Sequence, residues 1–410
     1  MGKGDQPFLK LVDRYGGDCS GAESFLFGLQ SVRDYFKRGG EILCRLLHAF
    51  SSEAPGAEGD PARAFQTLNC RPSTSYIDVC ARTDTGLDFY SNEQVPIEEV
   101  DYYGAGFICK DISRMNTRHP KSLDIVMTSS SGMSTRTLHA SKTYILKMQP
   151  KKFMIENVYR RSVIGAFLDL FGPASLPMYA IKIIIVDAQY FNISTVRKRV
   201  ICIGINLLKC TIVRPLSEWG GVLRRMASRM RAVHRSFEMS MLSEDDERIA
   251  AVKEEMAKKY GEGTTTSRDW PATRRKHWEA RDHLFHWEYN TIGPPLTIEE
   301  VGSHIGGGWY YRAREADMTY LHKFMAECSY GVTVFKLPLI WNVTQNVHFP
   351  RWKEKDMCGL HPVILRESTY HHVSKNRPVI GEEMLQAMGF PKSLRFTSED
   401  RRIAFGALTP

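Results

Sequence analysis

Over the first two hundred residues the spacing of apolar positions switches repeatedly between two periods, strict alternation in short runs and a three-to-four-residue repeat in longer ones. FLKLVDRY (8–15) predicts a strand that empties into the turn GGDCSG (16–21), and ESFLFGLQSVRDYF (23–36) predicts the helix behind it. RLLHAFSSE (45–53) predicts a second strand ending on a carboxylate, DPARAFQTLN (60–69) a short helix, SYIDVC (75–80) a third strand, and VDYYGAGF (100–107) a fourth that runs straight into ICKDIS. Beyond these, residues 130–150 read as a loop and helix, KKFMIENV (151–158) as a strand, and RRSVIGAFLDLFG (160–172) as a helix stopped by Gly172 and Pro173. MYAIKIIIVDAQ (178–189) and KRVICIGIN (198–206) are β-rich runs joined by YFNISTVR, either a hairpin-like pair or neighbouring strands with a functional loop between them. This alternation predicts an α/β fold around a largely parallel sheet.

The rhythm stops near residue 209. From 209 to 370 Trp, Tyr, His and Arg become frequent; 217–260 looks helical, with a basic first half (Arg224, Arg225, Arg229, Arg231, Arg235) and an acidic second half, EDDERIAAVKEE. GEGTTTSRD (261–269) reads as a loop, and RPVIGEEMLQAMGFP (377–391) as a helix with a Gly/Pro stop. We therefore expect a first domain over 1–208, a smaller second domain over 209–370 and a segment, 371–410, that returns to the first. A chain of 410 residues is long enough for this, at roughly 150 residues per domain.

The formal net charge of +9 favours a polyanionic partner, since a positive field attracts phosphates whatever their sequence. Nine cysteines without a CxxC pair signal neither a zinc site nor a disulfide framework, so no metal is expected. No signal peptide opens the chain and no apolar run reaches the roughly 18 residues of a membrane span, so the expectation is a soluble intracellular protein without a membrane partner.

In a doubly wound sheet, ligands bind where strands end and helices begin. GGDCSG after the first strand is a candidate ligand loop, and Glu53 at the end of the second strand is placed to accept ribose hydroxyls. Cys109 follows an apolar strand at the carboxyl edge of the sheet, where a thiolate could act as a nucleophile; taken alone, that position reads sooner as a buried core thiol. Glu156 ends a strand and reads equally as a site residue or as a solvated strand end, whereas Arg197 and Arg199, alternating along one extended segment, read sooner as a solvated strand face.

The order of these segments resembles the motif set of the cytosine-C5 DNA methyltransferase family. VDYYGAGFICKDIS looks like its nucleophile loop, with Cys109 at the catalytic cysteine and Ser113 at its serine; KKFMIENV matches the Glu-Asn-Val strand at Glu156 and Asn157. VDAQYFNISTVRKRVICIGI resembles the Gln-x-Arg-x-Arg motif, with Arg197 and Arg199 at its arginines, and RPVIGEEMLQAMGFP matches the segment after the target-recognition region, placing Arg377 and Glu383. GGDCSGAESFLFGLQ is similar to the cofactor loop, FSSE to the acidic ribose contact, and IDVCARTD falls at the adenine contact.

The resemblance implies a Rossmann-like S-adenosylmethionine-dependent methyltransferase fold with a mixed, mostly parallel sheet and a target-recognition domain. It implies S-adenosyl-L-methionine as cofactor, held by Asp18, Cys19, Ser20, Gly21, Glu53 and Asp78, and DNA as the partner, with nuclear localisation in a eukaryote. Cys109 would add to C6 of a flipped cytosine, with Glu156 at N3 and the exocyclic amine, Arg199 at O2 and Arg197 positioning the loop. Ser113, Asn157, Arg224, Arg225, Arg229 and Arg377 would contact substrate, and TRRKHW (273–278) and GGGWYYRAR (306–314) combine cations with aromatics in the same region.

Several positions depart from the family pattern. Ile108 replaces the proline before the nucleophile, Lys110 and Thr195 replace glutamines, and Cys19 stands where an aromatic residue packs near the cofactor. The closing Gly-Asn motif is not found before the chain ends at FGALTP, which marks a divergent member. A tRNA-directed enzyme of the same family and a non-catalytic nucleic-acid-binding paralogue are the alternative readings.

Overall fold

The computed structural model describes residues 11–19, 21, 23–38, 44–55, 60–109, 112, 132–195, 197–231, 236–260, 272, 340–342, 370–372, 374–391 and 393–394. In chain order the first elements are β1 (Leu11–Asp18), α1 (Ser24–Arg38), β2 (Cys44–Ser52), α2 (Asp60–Asn69) and β3 (Thr74–Tyr76). A small antiparallel hairpin, β4 (Thr85–Leu87) and β5 (Gln94–Pro96), precedes β6 (Tyr102–Ala105). Then come α3 (Met133–Met148), β7 (Lys152–Val158), α4 (Arg161–Phe171), β8 (Tyr179–Asp187), β9 (Lys198–Asn206) and α5 (Leu216–Arg231).

Seven strands form one sheet in the order β3-β2-β1-β6-β7-β9-β8. β3, β2, β1, β6 and β7 run parallel to their neighbours, whereas β9 lies antiparallel to both β7 and β8. The chain leaves β7 through α4, places β8 one strand position further out, and turns back so that β9 fills the gap. This is the mixed, mostly parallel Rossmann-like sheet expected for a methyltransferase. The two β-rich runs at 178–206 are the antiparallel pair that the sequence left as one of two readings.

The period-two pattern is visible in the burial of β7, where Phe153, Ile155 and Asn157 are buried while Met154, Glu156 and Val158 are half-buried. Phe50, Tyr76, Tyr103, Tyr144, Phe153, Phe167 and Phe171 dominate the core, each contributing about 1.5–3 kcal/mol by burial. The Phe50 ring crosses the central strand so closely that a Cβ at Gly16 would lie 2.2 Å from it, which accounts for the glycine in β1.

The described chain divides into two compact units, 1–190 with 198–230 and 407–410, and 191–197 with 231–406. The composition shift at 209 thus falls inside the first unit and 371–406 inside the second. In the second unit α6 (Glu247–Tyr260) is followed by β10 (Ile340–Asn342), β11 (Tyr370–His372), β12 (Arg377–Pro378) and α7 (Gly381–Ala387). β10, β11 and β12 form an antiparallel sheet, and Phe237, Ile340, Tyr370, Val379, Met384 and Ala387 form a small core. The helical stretch expected over 217–260 is two helices, α5 and α6, with a short 3-10 turn at Phe237–Ser240 between them. Among the described residues no helix is long and apolar enough to cross a membrane, and no three His, Cys, Asp or Glu side chains gather as a metal site.

Candidate active site

Chain order reverses between β1 and β6: β2 and β3 extend from β1 to one side, and the chain returns to place β6 on the other. Loops leaving adjacent strands in opposite directions open a crevice there. The GGDCSG loop leaves β1 at this point, and the Cys109 loop leaves β6.

On the β1 side, Asp18 is fully buried and gripped by Arg82, with Nη1 2.8 Å from Oδ1 and Nη2 2.5 Å from Oδ2; the Tyr103 hydroxyl also donates to Oδ2. Arg82 lies over the faces of Phe50, Tyr76 and Tyr144 at 4.9–5.5 Å. Burial pushes the Asp18 carboxyl up, and Arg82 and Tyr103 pull it back. Cys19 and Gly21 take left-handed backbone conformations, with the Cys19 N–H donating to the Ser52 carbonyl and the Gly21 N–H to Glu53 Oε1. Gln66 Nε2 donates to both Glu53 Oε1 and the Gly21 carbonyl.

Glu53 is buried and its carboxyl is pushed up to about 8, first by burial and then by Glu23, against the pull of Gln66, the Gly21 N–H and Arg63. The Val79 N–H donates to the Glu53 carbonyl, which draws the segment after β3 alongside; there Asp78 accepts the Cys80 N–H on Oδ1. Asp18, Cys19, Gly21, Glu53 and Asp78 are therefore gathered at the ends of β1, β2 and β3. Ser20 lies outside the described residues.

On the β6 side, the Gly106 N–H donates to the Asp18 carbonyl, and Asn157 Nδ2 donates to the Phe107 carbonyl at 2.7 Å. Cys109 is half-buried against the core. A Cβ at Gly106 would lie 3.2 Å from the Cys19 carbonyl and 3.7 Å from Glu156 Oε2, so the loop passes closely between the β1 turn and the end of β7. Glu156 pairs in register with Ile201, and Arg199, two residues along on the same face of β9, reaches back diagonally to place Nε 2.5 Å from Glu156 Oε1. The thiol-bearing loop, a carboxylate and a guanidinium thus converge at one edge of the sheet.

Other expected site residues stand elsewhere. Asn157 faces the opposite side of β7 from Glu156 and, 2% exposed, holds the Cys109 loop by its backbone. Arg197 precedes β9 and belongs to the second unit, as does Thr195, whose hydroxyl donates to the Ala387 carbonyl. Arg377 requires a correction: it is 1% exposed, and its five N–H groups are directed at Glu244, Glu383, Pro378 and Leu242, so it ties the second unit together and offers nothing to a substrate. Arg224, Arg225 and Arg229 are exposed along α5. Ser113, Lys110, TRRKHW and GGGWYYRAR lie outside the described residues.

Three participants carried no local sequence signal. Arg82 lies 64 residues from Asp18, and Gln66 and Thr137 are ordinary polar positions within helices. Pairing each buried carboxylate with every cation near a strand end would have raised Arg82 as a candidate.

A family model for C-5 cytosine-specific DNA methylase matches residues 84–405, which takes in Cys109, Glu156 and Arg199 and leaves the β1–β3 side of the crevice outside the match. No curated protein matches the chain significantly. Among solved structures, the chain is similar to S. pombe Dnmt2 methyltransferase (12% identity, 96% of this chain and 94% of that chain covered, TM-score 0.42). It is also similar to a putative DNA modification methyltransferase encoded within a prophage of E. coli (15%, 96% and 93%, TM-score 0.44) and to Entamoeba histolytica EhMeth (13%, 60% and 66%, TM-score 0.32). With four-fifths of its length matched, the chain belongs to the C-5 cytosine-specific DNA methylase family, whose members take S-adenosylmethionine as methyl donor.

Proposed function

We propose that the protein methylates C5 of cytosine in DNA through a covalent adduct on Cys109. The supporting observation is the Gly106 position: three residues ahead of Cys109, it lies against the carboxylate of Glu156, which is itself paired with Arg199. Cytosine C5 is a weak nucleophile. A thiolate adding to C6 pushes an electron pair toward C5, and the charge developing in the ring needs stabilisation where it appears. Cys109 forms the C6–S bond, Glu156 engages N3 and the exocyclic amine, and Arg199 reaches O2. After C5 is methylated, a base removes the C5 proton and the thiolate leaves. The target base must be flipped out of its stack, at a cost of a few kcal/mol.

The residues at the ends of β1–β3 suit S-adenosylmethionine, which when bound supplies a methyl group on a sulfonium. A ribose diol donates two O–H groups, and the buried Glu53 carboxyl, raised to about 8, would accept them in its ionised form. Asp78, with Oδ1 taken by Cys80, has Oδ2 to accept from an adenine amine. Asp18, Cys19 and Gly21 would shape the turn around the cofactor, and Ser20 is proposed with them from the motif alone. Residues 209–370, with Arg224, Arg225 and Arg229, would read the target.

Transfer of labelled methyl groups to a panel of DNA and tRNA, with Cys109→Ala in parallel, tests this reading. Label in DNA that depends on Cys109 is expected. Label that survives Cys109→Ala would sink the covalent step, and an acceptor found only among tRNAs would replace DNA as substrate.

A further inference from the structure

Four consecutive residues of the nucleophile loop are held from four directions. The Gly106 N–H reaches the Asp18 carbonyl (3.0 Å), the Phe107 carbonyl takes Asn157 Nδ2 (2.7 Å), the Ile108 N–H reaches Thr137 Oγ1 (3.3 Å), and the Cys109 carbonyl takes the Ile112 N–H (3.0 Å). The first, second and fourth contacts are open to any side chain at position 108. The third is closed to the proline that the family pattern carries there, because proline has no N–H.

Thr137 sits in the second turn of α3, fully buried, and its hydroxyl donates back along the helix, with the Met133 carbonyl at 2.9 Å and the Ser134 carbonyl at 3.2 Å. A hydroxyl carries one donor and two lone pairs, so donating along the helix leaves Oγ1 able to accept from the loop. Ile108, freed of the ring, would otherwise leave a peptide N–H at the edge of the core without an acceptor. We infer that Thr137 is a positioning residue for Cys109: its hydroxyl holds by hydrogen bond the peptide unit that proline fixes by its ring.

The inference rests on Cys109 being the nucleophile, and it couples positions 108 and 137. Thr137 matters to the loop only while residue 108 has an N–H. Thr137→Val keeps the branched shape and removes the acceptor, Thr137→Ser keeps the acceptor, and Ile108→Pro removes the donor.

The readout is adduct formation at saturating substrate, using randomised DNA duplexes and RNA in which 5-fluorocytosine replaces cytosine. The Cys109 sulfur bonds to C6, the methyl group moves from S-adenosylmethionine to C5 with release of S-adenosylhomocysteine, and C5 then bears fluorine and methyl but no proton. Elimination of the thiolate stops and the adduct accumulates. Thr137→Val is expected to slow adduct formation about tenfold without changing apparent affinity for nucleic acid, the size of one hydrogen bond removed. Thr137→Ser should restore the rate to within about twofold. In an Ile108→Pro background, whatever its own rate, Thr137→Val should change the rate less than about twofold.

An equal loss in both backgrounds, or no loss in the parent, overturns the role of Thr137. Adduct that forms with Cys109→Ala overturns the nucleophile instead. Hydrogen exchange at the Ile108 amide decides the tether without any substrate: faster exchange in Thr137→Val supports it, and unchanged exchange overturns it.

Discussion

Arg82 in the first unit and Arg377 in the second are both deeply buried, and each presents two nitrogens to the two oxygens of a buried carboxylate, Asp18 at 2.8 and 2.5 Å and Glu383 at 2.9 and 2.8 Å. Around Arg377 every N–H meets an oxygen. Its remaining donors go to Glu244, Pro378 and Leu242, and Glu383 also accepts the N–H groups of Ile380 and Leu242. A unit with so small a described core is stitched at this point by one guanidinium linking β12, α7 and the stretch before α6. Around Arg82 the surroundings are three aromatic faces, and the carboxylate it holds is the last residue of the central strand, one step before the left-handed turn at Cys19. The same pairing serves as a frame in one unit and as the footing of the proposed ligand loop in the other.

The largest expected effect separates chemistry from frame. Cys109→Ala should lower methyl transfer by about a thousandfold or more while leaving the urea midpoint unchanged; a parallel loss of stability would mean that the thiol is frame as well. Next come the two arginines. Arg82→Met and Arg377→Met each strand a buried carboxylate and should cost about 3–5 kcal/mol in urea denaturation, but only Arg82→Met should weaken S-adenosylmethionine binding of the molecules that remain folded. Equal weakening in both, measured by calorimetry, would break the distinction.

A smaller effect concerns Glu53. Folded, this carboxyl keeps its proton to about 8 against an ordinary 4.5, so its contribution to stability is fully present below about 4.5 and is lost as pH rises toward 8. Ribose hydroxyls donate to the ionised form, so cofactor Kd should fall by about tenfold per pH unit approaching 8 and then level off. Glu53→Gln should flatten that slope; an unchanged slope would assign the proton elsewhere. Smallest of all, neutralising any one of Arg224, Arg225 and Arg229 should reduce the salt dependence of DNA binding by about one unit of slope for each phosphate that the arginine had neutralised. No change in slope would remove that arginine from the interface.

The sheet was legible in the chain because alternation and strand-end polar residues are local properties. KKFMIENV gave β7 almost residue for residue, and of the motif residues Glu156 and Arg199 meet across β7 and β9, with Gly106 of the Cys109 loop beside Glu156. The β4–β5 hairpin was not legible, since three-residue strands hold too few positions for a period to show. The insertion of β9 between β7 and β8 was hidden for another reason: register and direction depend on which strand is free to pair, a property of the assembled sheet. Arg377 was assigned to substrate by motif resemblance, and a motif does not show that Glu244, 133 residues away, and Glu383 close around the guanidinium in the folded unit.

Neighbouring residues of β7 serve opposite faces: Glu156 meets Arg199 on one, and Asn157 holds the Phe107 carbonyl on the other. Side chains alternate with period two, so sliding this strand by a single residue would exchange the pair, aiming a carboxylate at a carbonyl oxygen and an amide at the guanidinium. Insertions or deletions of one residue inside 152–158 should therefore be intolerable even where composition is kept. The Glu-Asn dipeptide would then act as a register mark, disfavouring misaligned sheets in the same place as the proposed site.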